Sequence, residues 1–181
     1  MTPDFSKNHF ALFDLVPSFE LDLSALEAAY REVQREVHPD RFAGANDAER
    51  RVAAQWATQA NEAYKTLRTP LARGRYLLRL AGIDTEEESN TAMPREFLMG
   101  QMAWREAVVD ARESGDIDAL DRLANEHRVA ERALVAELAA QLADLSNEAL
   151  LQGAKLTVRK LRFLEKLGEE IDLAQEAIEG S

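Results

Sequence analysis

The stretch LEAAYREVQREVHPDRF, residues 26–42, decides how this chain is organised. Leu26, Tyr30, Val33 and Val37 recur at intervals of four, three and four, which puts them on one face of an α-helix. Arg31 and Arg35 are i,i+4 neighbours on a different side. The helix is expected to begin between Asp22 and Ser24, and Ser24 and Glu27 have the spacing of a capping box. Pro39 disfavours helical geometry in the residue before it, so the helix stops at about Val37. His38-Pro39-Asp40 therefore lies just past a helix end.

Outward from there, Phe42 to Asp47 contains Gly44 and Asn46 and reads as a loop. A third helix is expected from about Ala48 to Leu67, with Val52, Trp56, Ala60, Ala63, Tyr64 and Leu67 on its buried face. Two antiparallel helices joined by a tight loop bury each other, which leaves the tripeptide at the hairpin tip. Upstream, Phe10, Leu12, Phe13, Leu15 and Val16 form an apolar cluster closed by Pro17, a short first helix or a single turn and loop. Downstream, Thr69-Pro70 opens a fourth helix, with Thr as N-cap and Pro at the first helical position; it ends at Gly82.

Ile83 to Met93, including Glu86-Glu87-Glu88-Ser89-Asn90, has no hydrophobic period and reads as a domain junction. Pro94 opens a fifth helix to about Glu113, broken by Ser114-Gly115. A sixth is expected from Ile117 to about Asp144, with Leu120, Leu123, His127, Leu134 and Leu138 on one side. Ser146-Asn147 caps a seventh to about Ile178, burying Ala154, Leu161, Leu164 and Ile171. The expected fold is all-α: a helical hairpin domain over residues 1–82, a linker over 83–93 and an antiparallel three-helix bundle over 94–181.

Bulk properties narrow the function classes. The 181 residues are 46% hydrophobic and 30% charged, a globular composition, with no cysteine and hence no disulfide or thiolate chemistry. Residues 1–82 hold 11 Lys and Arg against 11 Asp and Glu; residues 83–181 hold 11 against 22. Phosphate-tracking proteins show the opposite bias, so nucleic acid is not an expected partner. No apolar run approaches the ~20 residues that span a bilayer, and Met1 to Asn8 does not look like a signal peptide. A cytoplasmic protein without a membrane partner is expected.

Catalytic constellations are missing from the sequence. His9, His38 and His127 have no metal-ligand spacing, and there is no Walker loop, GxGxxG or GxSxG. Pro39, with its locked φ, is expected to limit how His38 and Asp40 face each other and to hold a rigid docking turn instead. His127 reads as a half-buried packing residue and His9 as a surface or helix-start residue. On the fifth helix, Phe97, Trp104, Ala107, Val108 and Ala111 share a core sector, while Leu98, Met99, Met102 and Ala103 fall roughly opposite. That second sector is either packing across the junction or a Met-rich surface for a partner protein. On the seventh helix, Phe163 points away from Leu161 and Leu164, among Arg159, Arg162 and Lys166.

His38-Pro39-Asp40 after a basic amphipathic helix, with Asn61-Glu62-Ala63-Tyr64, Leu67, Pro70, Arg73 and Tyr76 downstream, resembles the J-domain, the module that switches on the ATPase of DnaK-type chaperones. The acidic tail containing residues 158–167, VRKLRFLEKL, is similar to that of the J-type co-chaperones of iron–sulfur cluster assembly. The resemblance implies docking on the chaperone HscA through His38, Pro39 and Asp40, with Arg31, Arg35 and Arg41 as the basic surround. It implies that Leu98, Met99, Met102, Glu106 and Phe163 bind the scaffold protein IscU and that the chain has no enzymatic activity of its own. Ala103 stands where this family often has an acidic residue. Some eukaryotic relatives carry an N-terminal cysteine metal site; here no zinc and no other cofactor is expected. The alternative is a general J-protein serving unfolded clients.

Overall fold

The computed structural model describes residues 4–42, 44–85 and 92–180. Among them are seven α-helices and no strand: α1 (His9–Leu12), α2 (Leu23–Glu36), α3 (Asp47–Arg68), α4 (Pro70–Leu80), α5 (Arg95–Ser114), α6 (Ile117–Gln141) and α7 (Glu148–Glu179). The chain divides into two compact units, Met1–Leu80 and Ala81–Ser181. The acidic run Glu86–Asn90, read as part of the junction, lies outside the described residues.

In the first unit α3 is the hub, packed by α1, α2 and α4. Asp22, not Ser24, starts α2: its Oδ1 accepts from the N–H groups of Ser24 at 2.8 Å and Ala25 at 3.2 Å. The expected Ser24–Glu27 box is not formed, because Asp22 is the N-cap and its carboxylate already takes the Ser24 N–H, which puts Ser24 inside the helix. The capping box belongs to α3 instead. Asn46 Oδ1 accepts from the Glu49 N–H at 2.9 Å, and Glu49 Oε2 accepts from the Asn46 N–H at 3.1 Å. Leu26, Val33 and Val37 are buried as their spacing demands, with Tyr30 half-buried. On α3 the buried set is Ala53, Ala60, Ala63 and Leu67; Trp56 and Tyr64 are half-buried. Val52 is exposed, a correction of one position: three alanines let the neighbouring helices approach α3 closely, and the register that buries them turns Val52 outward.

Arg73 links the ends of α3 and α4. It is buried, its Nη1 donates to Leu67 O at 2.6 Å, and its guanidinium lies 5.0 Å from the Phe19 ring centroid. It thus places a cation at the carbonyl end of α3.

The second unit is an antiparallel three-helix bundle in which the long α6–α7 pair is joined by α5. Gly115 takes φ +69° at the end of α5, where the Asp116 N–H reaches back to Ala111 O at 2.9 Å. Helix α6 ends at Gln141, three residues before the expected Asp144, because Leu142 closes it and Asp144 instead accepts from the Ser146 N–H in the turn to α7. The core is formed by Val108, Ala111, Leu120, Leu164, Leu167, Ile171 and Ala174.

Candidate functional site

The hairpin tip is built from the α2–α3 seam. The Tyr30 and Tyr64 rings stack at 4.2 Å, and Asn61 Oδ1 accepts from both Tyr30 Oη at 2.7 Å and Gln34 Nε2 at 2.8 Å. Ala63 and Leu67 are fully buried in the same helix. The Asn61-to-Leu67 pattern therefore fixes one helix against the other, and the position of the tip follows from it.

Past α2 the backbone makes one 3-10 turn over Pro39–Phe42, closed by the Arg41 N–H on His38 O at 3.0 Å. His38 is exposed: 59% of its side chain is open to solvent, as is 90% of that of Asp40. The two residues do face each other, contrary to the expectation from Pro39. The Asp40 N–H donates to His38 Nδ1 at 3.3 Å, and Asp40 Oδ2 lies 3.5 Å from the same nitrogen. The turn that begins at Pro39 folds the Asp40 backbone back towards the His38 ring, so the fixed φ of proline does not separate the two residues. Arg41 folds back, its Nη1 donating to Arg35 O at 3.5 Å. Arg31 and Arg35 are exposed on α2, paired with Glu27 and Glu32. The tip thus gathers His38, Asp40, Arg35 and Arg41 on one exposed end, with Arg31 one turn back along the helix.

His9, at the start of α1, is not a free surface residue. Its ring stacks on Tyr76 at 4.2 Å and its N–H donates to Tyr76 Oη at 2.9 Å. Burial, followed by the charge of Arg79, holds its pKa below the usual histidine range, against a smaller opposing pull from Glu62.

The second candidate surface is on α5 and α7. Leu98, Met99 and Met102 are exposed, the last two at 59% and 62%, and Ala103 and Glu106 share that exposed side. Phe163 is half-buried and meets Phe97 edge-on, with ring centroids 5.9 Å apart at 87°. That contact sets Phe163 beside the first turns of α5, next in sequence to Leu98. A bifurcated bond, Arg105 Nε donating to both oxygens of the Glu170 carboxylate at 3.0 and 3.1 Å, ties the same two helices one level further on. Sequence reasoning missed Gln101, which is buried at 3% exposure on the core side of α5 with Oε1 unpartnered. An apolar-only wheel gives a lone glutamine no weight.

Among the described residues no group of His, Asp or Glu is arranged to hold a metal, and no helix is long and apolar enough to cross a membrane. The arrangement leaves two exposed surfaces, the hairpin tip on the first unit and the Leu98–Met102 side of α5 on the second.

Comparisons with known proteins cover both units. Residues 93–172, from the start of α5 through most of α7, match the family described as the HSCB C-terminal oligomerisation domain. The co-chaperone protein HscB homolog of Paraburkholderia phymatum is 53% identical over 164 residues, 91% of this chain and 91% of that one. Chaperone HscB from Vibrio cholerae superposes with a TM-score of 0.83 at 36% identity, over 95% of this chain and 99% of the other. The human co-chaperone protein HscB superposes with a TM-score of 0.86 at 30% identity, over 95% of this chain and 84% of the human one. With both units spanned by such relatives, the chain belongs to the HscB family of co-chaperones.

Proposed function

We propose that this co-chaperone works in iron–sulfur cluster assembly in the cytoplasm, where it stimulates the ATPase of the DnaK-type chaperone HscA and delivers the scaffold IscU to it. The observation that carries the reading is the exposure of His38 and Asp40 on a 3-10 turn at the end of a hairpin, with Arg31, Arg35 and Arg41 around them. A pre-formed turn loses little conformational entropy on docking, and a rim of arginines suits an acidic surface on the chaperone. The scaffold would dock on Leu98, Met99, Met102, Glu106 and Phe163. Methionines and an aromatic side chain supply adaptable apolar contact there. No step needs a catalytic residue, since binding two partners at once raises the local concentration of one for the other.

The test is the steady-state ATPase of HscA with and without IscU. Wild type is expected to stimulate hydrolysis, and more strongly when IscU is present. His38→Gln is expected to bind IscU with unchanged affinity and to give no stimulation. Stimulation equal to wild type by His38→Gln would remove the tip from the mechanism. Leu98→Ala combined with Phe163→Ala is expected to weaken IscU binding at least tenfold, about 1.4 kcal/mol, in calorimetry.

A further inference from the structure

The sulfur of this chain is confined to four methionines, Met1, Met93, Met99 and Met102, with no cysteine. Residues 93–102 hold three of them, and residues 2–82 hold none. Oxidisable sulfur is therefore concentrated where the second unit begins its first helix, and the hairpin tip has none nearby in sequence. Met99 and Met102 stand about one turn apart on α5, on the same exposed side as Leu98, and more than half of each is open to solvent. Met93, ahead of the helix, is half-buried. Without a thiol in the chain, an oxidant that donates an oxygen atom meets these two thioethers as its most accessible soft nucleophiles. Oxidation turns a flexible apolar side chain into a polar one and is undone by dedicated reductases.

We infer that Met99 and Met102 form a reversible oxidation site, with hydrogen peroxide as the oxidant, whose sulfoxides switch scaffold docking off. The inference rests on the proposed scaffold-docking role of this face. In each step a lone pair on the thioether sulfur attacks one peroxide oxygen. The S–O bond forms, the O–O bond breaks, and the proton of the transferred oxygen joins the departing hydroxide as water. Sulfur loses two electrons and peroxide gains them. In the reverse step two thiols of a reductase system become a disulfide, and the sulfoxide oxygen leaves as water. A sulfoxide oxygen is a strong acceptor, so a face that docks through thioethers must then bury that oxygen without a donor or leave it wet. Both side chains project into solvent in the free chain, so the added oxygen is hydrated there and the bundle keeps its fold. Oxidation thus separates the two surfaces: the chain keeps its tip and loses its scaffold.

The experiment is calorimetric titration of the full-length chain with IscU before and after hydrogen peroxide treatment. Peroxide is removed before mixing, and peptide mass spectrometry follows each methionine. Conversion of Met99 and Met102 to sulfoxides is expected to raise Kd roughly tenfold or more. The thermal midpoint, and the stimulation of HscA without IscU, should not change. Reductases for both sulfoxide epimers, with dithiothreitol, should restore Kd. Met93→Leu should respond to peroxide as wild type does, whereas peroxide should leave the Kd of Met99→Leu with Met102→Leu at its own untreated value. Oxidised wild type that binds like untreated wild type overturns the inference, as does a response abolished by Met93→Leu. A weakened affinity accompanied by a lowered midpoint also overturns it, because the effect then lies in the fold and not on the face. If untreated Leu98→Ala with Phe163→Ala still loses binding in these cases, the docking face stands; if that variant binds like untreated wild type, the docking face falls as well.

Discussion

Gly168 occupies a place that no side chain can enter without displacing a neighbour. A Cβ there would lie 3.1 Å from His127 Cε1 and 3.3 Å from its Nε2. The imidazole has little freedom to retreat. It is buried, its Nε2 is 2.7 Å from Leu164 O, and the Trp104 ring lies 6.5 Å away, centroid to centroid. Two effects then compete in Gly168→Ala. Alanine in a helix interior is better than glycine by about 1 kcal/mol, while overpacking a buried contact costs about 1–3 kcal/mol. Gly168→Ala is therefore expected to destabilise the wild-type chain. In a His127→Ala background the clash is gone, and the same substitution should stabilise by about 1 kcal/mol. Urea unfolding followed by Trp104 emission, with Trp56 replaced by Phe, measures both. A gain in stability in the wild-type background would show that the ring yields and that the contact carries no strain.

At the scale of elements, α1 is one turn long and cannot hold itself together, because a helix that short has no propagation to offset nucleation. It is held by Phe10, fully buried, and by His9 against Tyr76 on α4. Burial and the Arg79 charge favour the neutral imidazole, so folding lowers the pKa of His9 while the unfolded chain keeps the ordinary value near 6.5. Between the two values the unfolded state binds more protons. The stabilisation is complete above about pH 6.5 and is lost as pH falls towards the folded pKa. Comparing thermal unfolding of wild type and His9→Phe across that window should show a slope that the Phe variant lacks; parallel curves would show that His9 does not couple to folding. Much of the element level was legible in the sequence, since the period-3.6 stripes, Pro39, Pro70 and Gly115 mark real helix faces and ends. The misses have local causes. Val52 outranks Ala53 in hydrophobicity, but close packing on α3 selects the alanine. Ser24 and Glu27 fit a capping box by spacing, but Asp22 takes the Ser24 N–H and starts the helix at Leu23. The pairing of Phe163 with Phe97, like the burial of Gln101, depends on how α5, α6 and α7 pack and has no local signal.

At the scale of the whole molecule, the two surfaces belong to two units of one chain, and the proposed function makes their covalent connection itself a functional element. Residues 83–181 carry all of the acidic excess, while residues 1–82 are balanced and concentrate arginines near the hairpin tip. If delivery consists of holding scaffold and chaperone together, each surface can be lost separately, and neither can be supplied from a second molecule. His38→Gln keeps the scaffold face; Leu98→Ala with Phe163→Ala keeps the tip. An equimolar mixture of these two variants contains every contact of the wild type, divided between two chains. The mixture is expected to stimulate HscA through the intact tip of the face variant. The additional stimulation expected from IscU with wild type should be missing, because tethering, worth about 10²–10⁴ in effective affinity, acts only within one chain. ATPase rates of HscA against IscU concentration, for wild type and for the mixture, measure this directly. Full recovery of the IscU-dependent increment in the mixture would mean that scaffold engagement alters the chaperone or the tip by some route other than tethering.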